Sequence, residues 1–177
     1  MPPILIVFSG LPGTGKSTLA RQLAGQERAI YLRVDTVEAA LLNAGHRPIT
    51  VEGYAVEYAV AEDNLLLGLS VVADCVNPVE ATRAAWNDVA QRTGSHLINV
   101  EVVCSDMQEH RRRVETRRAD PGSHTGQWSP PDWEQLQTYA REYEVWTSPR
   151  LVLDTAGRTP EENFEALRLL LAGQAHP

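Results

Sequence analysis

Gly10-Leu11-Pro12-Gly13-Thr14-Gly15-Lys16-Ser17, followed by Thr18, contains the only lysine of a 177-residue chain that carries fifteen arginines. A GxxxxGK[ST] run is built for a polyphosphate. Its glycines let backbone N–H groups turn inward where a side chain would block them, the lysine reaches the β- and γ-phosphates, and the hydroxyl joins the shell of a Mg²⁺ that bridges them. Residues 10–18 are therefore read as the nucleotide-binding loop, with Lys16 also catalytic and Ser17 a metal ligand. A dinucleotide fingerprint is the competing reading, because Gly13-Thr14-Gly15 opens a GxGxxG and Asp35 follows at the distance of a ribose-binding acid. Thr18 stands where its third glycine belongs, so the triphosphate reading prevails.

Asp35 and Asp74 each follow a strand-like run, Tyr31-Leu32-Arg33-Val34 and Ser70-Val71-Val72-Ala73. Carboxylates at the carboxyl ends of parallel strands face the ligand crevice. Asp35 is read as the group that orients an acceptor hydroxyl and takes its proton, with a helix cap as the other reading; the two are compatible. Asp74 is read as a Mg²⁺ ligand, direct or through water. Asn77 is divided between substrate contact and capping of the helix that Pro78-Val79-Glu80 begins. The segment His110 to Arg118 holds Arg111, Arg112, Arg113, Arg117 and Arg118, of which Arg113 and Arg117 share a helix face. These two are read as a phosphate clamp, whereas Arg111 and Arg112 fit a solvated face.

The elements that must position these groups are legible as alternation. Ile4 to Phe8 is an unbroken apolar run that suits a buried parallel strand, and a helix from Ser17 to Ala24 then presents its N-terminus to the anion. Strand-like runs at 3–9, 29–34, 70–75, 97–104 and 150–154 alternate with helical segments, which makes an α/β chain with helices on both faces of a parallel sheet. Helix starts are expected at Asn77, Ser105 and Thr159, from a capping side chain ahead of Glu or Gln. One long helix is expected between Ile49 and Ser70, interrupted in propensity by Gly53 and ending near Gly68, within a segment 36–69 that shapes the acceptor pocket. A Pro-, Gly- and Ser-rich loop from Asp120 to Pro131 has the composition of a lid, with Trp128 covering the site and Trp133 and Trp146 in the core.

Composition sets the outer limits. The length suits a single domain spanning 1–177, with a lid region near 106–131, and 43% hydrophobic residues exclude a disordered chain. No apolar run reaches the ~20 residues of a membrane span and the N-terminus lacks the basic flank of a signal peptide, so a cytoplasmic protein is expected. A net charge of −7 disfavours a nucleic-acid partner. Cys75 and Cys104 end apolar runs and are expected as buried free thiols. The histidines have no metal spacing.

Taken together, GLPGTGKST at 10–18, Asp35, DCVNP at 74–78 with Arg83 and Trp86, HRRRVETRR at 110–118 and RLVLDT at 150–155 resemble the small P-loop kinases of the AAA_33 type. Their relatives include the polynucleotide 5′-kinase domain and chloramphenicol phosphotransferase. The resemblance implies a single-domain P-loop NTPase/kinase fold, with five strands in the order 2-3-1-4-5, ATP and Mg²⁺ as cofactors, and an arginine-rich lid. By the same resemblance Asp35 is the acceptor-activating acid and Arg113 and Arg117 are lid arginines. Two departures narrow the substrate: Glu38 stands where polynucleotide kinases have arginine, and the WSPPDW stretch at 128–133 differs from the antibiotic enzyme. The expected activity is transfer of the γ-phosphoryl of ATP to a hydroxyl of a small molecule, a metabolite or an antibiotic. The alternatives are a nucleic-acid end kinase and a nucleotide-dependent switch without an acceptor.

Overall fold

Leu5 and Val7 point to one face of their strand, Ile6 and Phe8 to the other, and all four are buried. A strand apolar on both sides needs cover on both sides, and the computed structural model, which describes residues 2–174, supplies it. Five strands, β1 (Ile4–Ser9), β2 (Ile30–Arg33), β3 (Val71–Asp74), β4 (His96–Val103) and β5 (Leu151–Asp154), form one parallel sheet in the order β2-β3-β1-β4-β5. On one face, Ile6, Phe8, Val100 and Leu153 pack beneath α1 (Lys16–Glu27) and α7 (Pro160–Ala172), through Leu19, Leu23, Phe164 and Leu167. On the other, Leu5, Val7, Val71 and Ala73 meet α2 (Val34–Asn43), α3 (Glu52–Leu66) and α4 (Glu80–Thr93), through Val34, Ala61, Leu65, Trp86 and Val89. Helices α5 (Met107–Ala119) and α6 (Trp133–Glu142) lie between β4 and β5 in the chain. Among the described residues no helix is long and apolar enough to cross a membrane.

Several local expectations change. The expected long helix is α3, which starts later, at Glu52, and ends near Gly68 as expected, where Leu67 closes the helix and Gly68 turns out of it at φ 82°. Asp35 does not end β2. The strand stops at Arg33 and Asp35 is the second residue of α2, whose N-cap Arg33 makes no side-chain cap bond. Nor does Asn77 cap α4, which starts at Glu80 behind Val79. Asn77 has φ 49° and is fully buried; its Nδ2 donates to Ser9 Oγ at 2.8 Å and its N–H to Tyr54 Oη at 2.9 Å. Its side chain is thus tied to β1 and not to the start of α4. At α5 the capping residue is Asp106 instead of Ser105, accepting from the N–H groups of Gln108 and Glu109. Thr159 caps α7 in a full capping box with Glu162. Cys75 is buried, whereas Cys104 is only half-buried at the strand end, and both are free thiols. Trp146 is buried and Trp133 is half-buried, with its ring edge-on to His110.

Arg83 ties the chain behind β3 together. Its guanidinium donates to the carbonyls of Asn77 (3.0 Å), Pro78 (3.1 Å), Glu144 (2.8 Å) and Val145 (3.3 Å), and lies 4.3 Å from the Trp146 ring centroid. A fork of five donors matches this ring of carbonyls; an ammonium cannot. Arg83→Lys leaves several carbonyls without their donor and should destabilise by about 2 kcal/mol, lowering Tm by roughly 4–8 °C. An unchanged melting temperature would remove this role.

Candidate functional site

The loop between β1 and α1 is shaped by its neighbours as much as by its own sequence. Gly10 and Gly13 have φ of 132° and 86°, where a side chain is strained, and a Cβ on either would collide: at Gly10 with the Val102 carbonyl, at Gly13 with Val114 of α5. Outside the loop, His110 Nε2 donates to the Pro12 carbonyl at 2.8 Å, and Thr155 Oγ1 donates to the Thr14 carbonyl at 2.7 Å. Two loop carbonyls are thus turned toward protein donors. The N-cap of α1 is Gly15, with no side-chain cap bond and no acidic residue in the first turn. An uncapped helix N-terminus leaves N–H groups and the positive end of the helix dipole for an anion.

A cleft of about 660 Å³ opens over this helix end. From the loop it is lined by Gly13, Gly15, Lys16, Ser17 and Thr18. Gly10, Leu11, Pro12 and Thr14 are not on the wall; Thr14 turns its hydroxyl back to the Leu11 carbonyl at 3.0 Å. Lys16 is only 6% exposed, and its Nζ stands 4.0 Å from Asp74 Oδ1. Asp74 itself lies behind the wall, 2% exposed, with Oδ2 accepting from the Tyr31 hydroxyl at 2.8 Å and 3.7 Å from Arg33 Nε. Burial, then the charge and hydrogen bond of Asp74, push the Tyr31 phenol well above its ordinary value.

Asp35 is on the wall, clamped. Arg33 Nη2 donates to Asp35 Oδ2 at 2.6 Å and Arg117 Nη2 to the same oxygen at 3.3 Å. Burial alone would raise this carboxyl, but Lys16, Arg33 and Arg117 outweigh it and hold it below the usual carboxylate range. Arg113 is one turn from Arg117 on α5; it donates to the Thr155 hydroxyl at 2.8 Å and to Glu109 at 2.6 Å. The structure therefore brings Lys16, Ser17, Asp35, Arg113 and Arg117 to one cleft, with Asp74 just beneath.

The lid segment reaches the cleft by docking on α2. Asn43 donates to the Thr125 carbonyl at 3.2 Å and accepts from the Gln127 N–H at 2.8 Å, which sets Trp128 on the wall with Ser123 and Thr125. Of the segment 36–69, only Thr36 and Ala39 line the cleft. On α3, Gly53 packs against Val34 and Glu38 of α2, and Ala61 and Leu65 face the sheet, so the helix turns its buried stripe away from the cleft.

Three participants had escaped sequence reasoning. Arg33 ends a strand two residues before Asp35, an i, i+2 spacing that puts both side chains on one strand face only if the strand continues, and it does not. Arg21 and Arg158 also line the cleft. Glu57, on α3 and outside the cleft wall, is 1% exposed and neither carboxyl oxygen has a hydrogen-bond partner among the described residues. The signal was present, since Gly53, Ala61 and Leu65 flank Glu57 at four-residue steps and mark its face as buried.

Burial, and then the charges of Asp74, Asp35 and Glu38, push the Glu57 carboxyl up to about 9. The unfolded chain releases that proton near 4.5, so between the two values the folded state binds the extra proton and stability falls as pH rises. Glu57→Gln keeps the shape and removes the titration. It should raise Tm by roughly 5–10 °C at pH 8, about 2–3 kcal/mol, and change it little at pH 4.5. Equal effects at both pH values would contradict the assignment.

No group of three metal-ligating His, Cys, Asp or Glu side chains occurs among the described residues. The donors present suit Mg²⁺, which takes one or two protein oxygens and completes its shell with phosphates and water. Ser17 on the wall and the buried Asp74 carboxylate beside Lys16 are such oxygens.

Comparisons with known proteins agree with this geometry at the level of the fold. A provisionally assigned kinase from Chloroflexus aurantiacus j-10-fl superposes with a TM-score of 0.75 at 19% identity, over 96% of this chain and 98% of its own. The Mycobacterium tuberculosis APS kinase CysC, solved with AMPPNP and APS, gives 0.68 at 21% identity, over 97% and 98%. Chaetomium thermophilum Kti12 in complex with ADP-AlF3 gives 0.67 at 22% identity, over 96% and 100%. No curated protein matches the sequence. The family model for AAA_33, an AAA domain, matches residues 5–145 and so spans the loop, both carboxylates and the arginines of α5: the chain belongs to the AAA_33 family.

Proposed function

We propose that the protein is a kinase that moves the γ-phosphoryl group of ATP to a hydroxyl of a small molecule. The observation that carries this reading is an ionised carboxylate, Asp35, on the wall of the same cleft as an uncapped P-loop helix and Lys16. A nucleotide hydrolase needs the loop; a group that can take a proton from an acceptor is an addition that fits transfer. Structures of the same fold solved with a nucleotide analogue, among them one with a second substrate, support the assignment.

In this reading Lys16 and the first amides of α1 hold the triphosphate, and Arg113, fixed through Thr155 to the loop, neutralises charge that builds on the phosphoryl oxygens. Ser17, with Asp74 behind it, would hold Mg²⁺, whose chemistry when bound is to offset charge on the β- and γ-phosphates. Asp35 receives the acceptor's hydroxyl proton as the new O–P bond forms and the bond to the β-phosphate oxygen breaks, releasing ADP. Trp128 and the lid residues beside it exclude water from that side. The test is ATP turnover with and without pools of metabolite and antibiotic alcohols, followed by mass spectrometry for a gain of one phosphate. A phosphorylated alcohol is the expected result. Slow hydrolysis that no alcohol stimulates would make the protein a switch, and transfer confined to oligonucleotide 5′-ends would replace the acceptor.

A further inference from the structure

Among the described residues six cationic side chains line the cleft, Lys16, Arg21, Arg33, Arg113, Arg117 and Arg158, with Asp35 the one carboxylate on the wall and Asp74 beneath it. The chain as a whole carries −7, so this surplus is local. It is also divided in space. Lys16 follows β1 in the middle of the sheet, and Arg113 is fastened to Thr155 at the end of β5. Arg33 ends β2 on the opposite edge, and Arg117 reaches over to it from α5. A triphosphate anchored at the loop accounts for the first group and leaves the second.

The second group is a compact subsite. Arg33 and Arg117 donate to one and the same oxygen, Asp35 Oδ2, and both guanidiniums lie near the Trp128 ring, 6.0 and 5.7 Å from its centroid. Arg33 Nε has no hydrogen-bond acceptor and faces Asp74 Oδ2 at 3.7 Å. With Lys16, three cations face the two carboxylates Asp35 and Asp74, which leaves a net positive charge and two forks whose geometry suits a planar or tetrahedral oxyanion. While both arginines hold Asp35, its carboxylate is engaged and cannot accept a hydroxyl proton efficiently.

We infer that the acceptor carries an anionic oxygen group, carboxylate, phosphate or sulfate, beside the hydroxyl that is phosphorylated, and that this group takes Arg33 and Arg117 from Asp35. The exchange frees the carboxylate at the moment the hydroxyl arrives next to it. A neutral alcohol leaves the clamp closed, so the arrangement selects for charge. This substrate class rests on the phosphoryl-transfer reading; the anion subsite does not.

Two measurements separate them. Inorganic sulfate is titrated calorimetrically into protein saturated with Mg²⁺ and AMPPNP, so that the loop is filled. One saturable site is expected, weakened at least tenfold in Arg33→Gln and in Arg117→Gln, the latter on a partly exposed helix position that tolerates the change. In parallel, matched pools of neutral alcohols, hydroxy acids, and phosphorylated or sulfated alcohols are screened for transfer by mass. Product from an anionic pool is expected, and which pool responds identifies the group. Absence of saturable sulfate binding, or binding unchanged in both variants, overturns the inference. Transfer to neutral alcohols alone overturns it too, with the kinase reading intact. Failure of every pool, with sulfate binding lost in both variants, overturns the kinase reading and keeps the anion subsite.

Discussion

Asp35→Asn is expected to lower phosphoryl transfer by roughly 10²–10⁴-fold at saturating acceptor, with nucleotide affinity nearly unchanged, which is the loss typical of a positioned general base. The amide keeps the size of the carboxylate, so Arg33 and Arg117 retain an oxygen partner and the wall keeps its shape. What disappears is the capacity to take a proton. Asp35 lies on α2 and makes no hydrogen bond to the loop; its link to the triphosphate side is the field of Lys16. A fall explained wholly by weaker ATP binding would move Asp35 to the metal shell, and near-normal transfer would leave the reaction without its acceptor-side group. Nucleotide affinity of the variant can be measured before any acceptor is known.

Lys16→Ala is expected to reduce MgATP-dependent turnover by roughly 10²–10³-fold, the effect of removing one preorganised cation from developing charge. The fold should survive. Asp74 keeps the Tyr31 hydroxyl at 2.8 Å and Arg33 Nε at 3.7 Å, so the buried carboxylate is not stranded when Lys16 is removed. Because the chain has no other lysine, an amine reagent offers a direct check. Lys16 is 6% exposed and will label slowly even without nucleotide, so the rate, not the endpoint, is the quantity to follow. Saturating MgATP should slow it further. Equal rates with and without nucleotide would count against a phosphate-binding lysine.

The nucleotide side of the cleft was readable because it is local. Nine consecutive residues carry the turn, the cation and the hydroxyl, and the apolar run before them and the helix after them follow in the same stretch. The α/β alternation was readable for a similar reason: strands buried on both faces are continuous apolar runs, and capping residues such as Thr159 mark helix starts within four residues. The strand order came from resemblance, since nothing in one strand's sequence names its neighbour.

The other side of the cleft, around Asp35, was decided by tertiary structure. Asp35 meets Arg117 across 82 positions of sequence, and Trp128 reaches the wall because Asn43, more than eighty residues earlier, pairs with the lid backbone. Such contacts depend on how α2, α5 and the lid converge over the sheet edge, which no local pattern encodes. Boundaries behaved the same way. Whether the chain after Arg33 stays extended or turns into a helix depends on Val34, which α2 buries against α3 and the sheet, and that choice carried Asp35 from a strand end to a helix. Glu57 makes the point in reverse: helical spacing placed it on a face, but only the packing of that face against β3 turned an ordinary carboxylate into a neutral, buried acid. The sequence by itself determined that this chain carries a P-loop on an α/β sheet, because a local run of residues suffices for that; the arginine clamp on Asp35 was left to the packing, because Arg117 reaches it from 82 residues away.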